Sequence, residues 1–174
     1  MLYLTVMLLF LLFAAVAMTV NEGLWSNTIA LFNILLAGIL AIFAGVPFGN
    51  FLLAQSGKPA ELAWYFVFAG IWGTFALSVT VMHLATKAAS DVRMRFVPLL
   101  DKIAGPLMGI LVAVMLTSFT AYTLERVPIK AGEWSFGDAS EWQQTTFKYA
   151  RAPFRGVLKS FVQGEKADHP FLGS

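Results

Sequence analysis

Few residues in this chain are of types that do chemistry, and their spacing narrows what they can do. In or beside its long apolar runs lie Asn33, Thr74, Ser78, His83, Thr117 and Ser118. A serine hydroxyl needs a neighbouring base to become a nucleophile, and no intramembrane His or Lys is spaced to serve Ser78 or Ser118. His83 stands near the far end of the third run. No second His, Asp or Glu lies at its depth, so an interfacial, hydrogen-bonded role suits it better than metal ligation or proton relay. No run carries an Asp, Glu, Lys or Arg in its interior, where ion-coupled transporters usually place them. HExxH, GxGxxG, a P-loop and GxSxG are absent. There is no cysteine, hence no disulfide, thiolate nucleophile or thiolate metal site. The expectation is a non-enzymatic chain with no catalytic, cofactor-binding or metal residues.

What remains is architecture. Of 174 residues 58% are hydrophobic and 13% charged, against roughly 45–50% and 25% in soluble domains. This is the composition of a membrane protein. A net charge of +2 is too small to argue for nucleic acid.

The runs predict four spans, at about 1–20, 28–46, 62–85 and 103–124. Met1–Val20 holds no charge; Ala15-Val16-Ala17 looks like a signal cleavage site, yet no Lys or Arg precedes the run, so it reads as a retained helix. Asn21–Asn27 is a polar break in which Gly23 can take positive φ and Ser26 or Asn27 can cap the next helix. Pro47 predicts a kink or interfacial turn in the second span. The fourth span, from Ile103 to Leu124, is ~33 Å of uncharged helix, close to the ~30 Å of a bilayer core.

Small residues recur at steps of four in three of these spans. The fourth carries a GxxxG at Gly105 and Gly109, continued by Ala113 and Thr117. The second carries Asn33, Ala37, Ala41, Gly45 and Gly49; the third carries Gly70, Thr74 and Ser78. Such stripes let helix backbones approach closely in lipid. They predict a compact core of spans two, three and four, with span one peripheral. Asn33, Thr74, Ser78 and Thr117 are also the candidates for a polar path through an oligomer.

The tail, 125–174, differs in character. Arg126, Lys130, Lys148, Arg151, Arg155, Lys159 and Lys166 make seven of the twelve basic residues. An amphipathic helix is expected over 141–163, broken or kinked at Pro153. Its mixture of aromatics and cations suits a helix on the membrane surface, with a cap on the bundle as the competing placement. Lys87, Arg93, Arg95 and Lys102 mark the loop between spans three and four, where Val92, Phe96 and Leu99 on one side suggest an amphipathic interfacial segment. This most basic short loop is expected to be cytoplasmic, which puts both termini outside.

Asn21-Glu22-Gly23-Leu24, the four-span layout with its basic third loop, and Leu100-Asp101-Lys102-Ile103-Ala104-Gly105 followed by Gly109 together resemble the colicin V production protein family over residues 1–124. Glu22, Gly23, Asp101 and Lys102 carry the motif residues. Met108 and Ile110 flank Gly109 where the family often has an arginine. The resemblance implies a small bacterial inner-membrane protein tied to toxin production or export and to envelope homeostasis, with no assigned reaction. The expected partners are the lipid bilayer and other membrane proteins or further copies. A channel or transporter component is the alternative, and a subunit holding a lipid or quinone a more distant one.

Overall fold

The computed structural model describes residues 2–91, 98–126 and 140–161. Over these the chain is all-α: α1 Leu2–Thr19, α2 Leu24–Ser56, α3 Ala63–Asp91 after a 3-10 turn at Ala60–Leu62, α4 Pro98–Arg126, and α5 Glu141–Phe161. Leu24–Ser56, Ala60–Lys87 and Asp101–Arg126 are long and apolar enough to cross a membrane, and Tyr3–Thr19 is a shorter apolar helix. The protein is therefore polytopic, with three stretches of spanning length.

Helix directions follow from a few contacts. Gly45 and Gly49 of α2 lie against Ile71 and Val67 of α3, so that pair is antiparallel. Thr19 of α1 lies against Gly109 of α4, while Leu8 clusters with Ala121 and Leu124, so α1 and α4 are antiparallel too. Asn27 bonds Gly105 and Gly38 faces Phe119, so α2 and α4 run parallel. The α1–α2 turn, Thr86 and the start of α4 thus gather at one end. The Gly57 turn and Arg126 point to the other.

The main buried cluster does join the second, third and fourth spans, with α5 added to it; what differs from expectation is the place of α1. Helix α3 packs chiefly on α2, whereas α4 packs on α1, α2 and α5. Helix α1 lacks a small-residue stripe but receives the one on α4, so it is not peripheral. The main apolar cluster joins Ile42, Ile71, Phe75, Phe119, Tyr122, Phe154 and Leu158. Phe75 stacks on Phe119 with centroids 4.5 Å apart, and Phe119 meets Phe154 edge-on at 5.1 Å. These ring contacts link α3, α4 and α5, at ~0.5–1.5 kcal/mol each beyond area burial.

Neither of two internal prolines ends its helix. Helix α2 continues through Pro47 for 33 residues. Pro47 is exposed, and the close contacts of Gly45 and Gly49 with α3 pin the helix on either side of it. Helix α5 continues through Pro153. There the next amide, that of Phe154, donates to Ser118 Oγ of α4 at 2.9 Å, so a backbone group beside the proline is satisfied across the interface. Glycine conformation also differs. Gly23 has φ −70 at the α2 N-cap; the left-handed glycine is Gly57, φ 62, which ends α2.

Helix α5 begins at a capping box, Ser140-x-x-Gln143, in which Gln143 Oε1 accepts from the Ser140 amide at 3.2 Å. Its aromatic face is spent on the bundle: Phe147, Phe154 and Leu158 are buried. Helix α5 thus packs on the bundle as a cap, with Arg151 paired to Glu125 of α4. Val92 and Phe96, the side chain of Leu99, and the tail beyond Phe161 lie outside the described residues.

Candidate functional site

The residues of the two sequence motifs converge at one place. Asp101 Oδ1, in the first turns of α4, accepts a 2.7 Å hydrogen bond from the amide of Leu24, the first residue of α2. The first amides of a helix lack intrahelical acceptors, and a carboxylate there also meets the positive end of the helix dipole. Gly23 supplies no side-chain cap of its own, so α2 is capped from 77 residues away. Neither Ser26 nor Asn27 caps it; both lie inside the helix.

Asn27 has a different task. Its Nδ2 is placed to donate to the carbonyls of Thr19 at 2.9 Å, Gly105 at 2.9 Å and, more distantly, Glu22 at 3.3 Å. The residue is 1% exposed. One buried amide therefore ties the end of α1, the turn and the start of α4. Thr19 Oγ1 adds contacts to Ala15 O at 2.8 Å and Gly109 O at 2.9 Å.

The GxxxG glycines make room for this junction. A Cβ on Gly105 would sit 3.1 Å from Glu22 O, and one on Gly109 only 2.8 Å from Thr19 O. A Cβ on Gly23 would sit 3.3 Å from Asp101 Oδ1. Glu22, Gly23, Asp101, Gly105 and Gly109 are thus parts of one joint, although Glu22 takes part through its carbonyl and its side chain is exposed. Lys102 is exposed beside it.

The other singled-out residues lie elsewhere. Ala37, Ala41 and Ala113 are fully buried. Gly45, Gly49 and Gly70 form the α2–α3 contact, where a Cβ on Gly70 would lie 2.4 Å from Gly45 O. Asn33 Nδ2 donates to Thr86 Oγ1 at 3.0 Å, and its Oδ1 is buried with no hydrogen-bond partner among the described residues. Thr117 is buried with its hydroxyl likewise unpaired. Thr74 and Ser78 are half-buried and His83 is exposed. No hydrogen bond joins any two of Asn33, Thr74, Ser78 and Thr117, the residues considered for a polar path. No group of three or more His, Cys, Asp or Glu suited to a metal is present among the described residues.

The bonding roles of Thr19, Ser118 and Asn27 add to the residues that the sequence singles out. An amide at the start of an apolar helix was a signal for Asn27, since lipid offers it no partner. The Ser140-x-x-Gln143 box was a signal for the start of α5.

Helix lengths, apolarity and the joint define a multi-pass, all-α membrane protein whose motif residues hold the chain to itself. A family model described as colicin V production protein matches residues 4–149, and the chain belongs to that family. The match runs past residue 124 into α5. No curated protein and no solved structure matches the chain.

Proposed function

We propose that this protein acts without catalysis, as a four-crossing inner-membrane scaffold or accessory subunit in colicin V-type toxin production or export and in envelope homeostasis. The observation that carries this reading is the joint itself. Gly23, Asp101, Gly105 and Gly109 are spent on contacts within the chain among α1, α2 and α4, so what they secure is a shape that a partner can recognise. The alternating directions of α1, α2, α3 and α4 favour four crossings, although the 18 residues of α1 give only ~27 Å. Lys87 and Lys102 lie towards the joint's end and favour placing that end in the cytoplasm, with both termini outside.

Purification in mild detergent followed by mass spectrometry tests the scaffold reading. The wild type should carry a defined membrane protein or a second copy, lost in Gly105→Leu and Gly109→Leu; equal recovery from all three would refute it. The chain has no cysteine, so single Lys58→Cys and Lys102→Cys variants report topology. An impermeant maleimide should label position 58 from outside and position 102 only after permeabilisation.

A further inference from the structure

We propose that α5 is an interfacial collar whose basic flank binds the headgroups of anionic phospholipids. Lys148, Arg151, Arg155 and Lys159 follow one another at steps of three, four and four, which places them on one line of the helix. That line runs beside the buried face of Phe147, Phe154 and Leu158 rather than opposite it. Arg151 is paired with Glu125, which leaves Lys148, Arg155 and Lys159 as the cations of the flank. Lys148 and Lys159 are exposed and Arg155 is half-buried.

Away from the bundle α5 is not a simple water-facing surface. Trp142 and Tyr149, on the face turned from the bundle, are exposed, as is Phe161 at the helix end. Exposed Trp and Tyr beside a line of cations is the pairing favoured in the headgroup layer, where aromatic rings and long basic chains both find partners.

Depth agrees with chemistry. Asp101–Arg126 is 26 residues, or ~39 Å, longer than the ~30 Å hydrocarbon core. Ser118, which receives the Phe154 amide, lies eight residues before Arg126, ~12 Å in from that end. The docking point therefore falls near the headgroup and acyl boundary, where interfacial helices lie. Because the buried face of α5 is already occupied by protein, lipid binding rests on the cationic flank and the exposed aromatics, and hence on headgroup charge.

The inference rests on the membrane-spanning reading of α4 but not on any partner protein. Its test is native mass spectrometry of the purified full chain in neutral detergent, with added phosphatidylglycerol competing against phosphatidylcholine. The wild type should retain phosphatidylglycerol several-fold in preference, and the preference should shrink as salt rises from ~0.05 to ~0.5 M. Lys148→Gln/Arg155→Gln/Lys159→Gln should abolish the preference, while Lys58→Gln/Lys87→Gln/Lys102→Gln, equal in charge, should keep it. A preference that survives the α5 triple, or falls equally in the control triple, would overturn the proposal. Should the α5 triple fail to fold, the wild-type salt series decides alone: a salt-independent preference, or none, overturns it. Loss of a protein partner in the Gly105 or Gly109 variants leaves this readout untouched, so failure of the scaffold reading is seen separately.

Discussion

The α2–α3 contact and the joint of α1, α2 and α4 both depend on glycine, but they use it for different ends. Between α2 and α3, Gly45, Gly49 and Gly70 bring backbone against backbone, and the gain is van der Waals contact. Lipid chains are as apolar as the side chains they replace, so such close approach is one of the few forces available. At the joint, Gly105 and Gly109 clear space so that Asp101, Asn27 and Thr19 can reach main-chain groups. The first contact is a fit of shapes. The second is an exchange of hydrogen bonds that supplies partners to the ends of α1 and α2.

Substitutions should separate the two. The largest loss is expected for Gly70→Leu. Backbone atoms of Gly45 and Gly49 would lie 2.4–2.9 Å from a Cβ there, and neither can move aside without parting the helices. A cost of about 3 kcal/mol or more is expected, read as a fall in the denaturation midpoint in detergent; a shift within error would show that the helices do not approach so closely. Asn27→Ala comes next. It strips a buried donor from the carbonyls of Thr19, Glu22 and Gly105, with an expected loss of ~1–2 kcal/mol by the same assay.

Asp101→Ala should cost ~1 kcal/mol as a lost helix cap, and Asp101→Asn only a few tenths, because its amide oxygen still accepts from Leu24. Equal losses in both variants would mean that charge, not the acceptor, is what matters. One further effect should be opposite in sign. A Cβ on Gly73 meets nothing within 4 Å, so Gly73→Ala should stabilise α3 by up to ~1 kcal/mol. Destabilisation there in native membranes, but not in purified protein, would reveal a partner on the outer face of α3.

Much of this was legible in the sequence, and the limits are physical. Apolar length placed four of the five helices, and the amphipathic pattern after Glu141 placed the fifth. The small-residue stripes marked where helices approach, but a stripe does not name its partner. Gly105 and Gly109 mark a close approach, but that it is to the end of α1, the turn after it and the first residues of α2 is set by the fold. Asp101 was recognisable as a motif residue; its role as the cap of a helix 77 residues away depends on the fold and leaves no local pattern. Pro153 argues for a break or a kink, and that the helix is not broken there depends on Ser118 across the interface, which local rules cannot see. The Ser140-x-x-Gln143 pattern at the start of α5, by contrast, is a local signal that the sequence carries in full.

The account stands most directly on the meeting of the α1–α2 turn with the start of α4. In this cysteine-free chain, Gly23→Cys/Asp101→Cys tests it in native membranes. A Cβ at position 23 would lie 3.8 Å from Asp101 Cγ, close to the reach of a disulfide. After mild oxidation and denaturation in detergent both thiols should resist a polymer-linked maleimide until reduced, while a Lys58→Cys/Asp101→Cys control stays reactive throughout. Free thiols in the first pair, reacting as readily as the control, would contradict the joint.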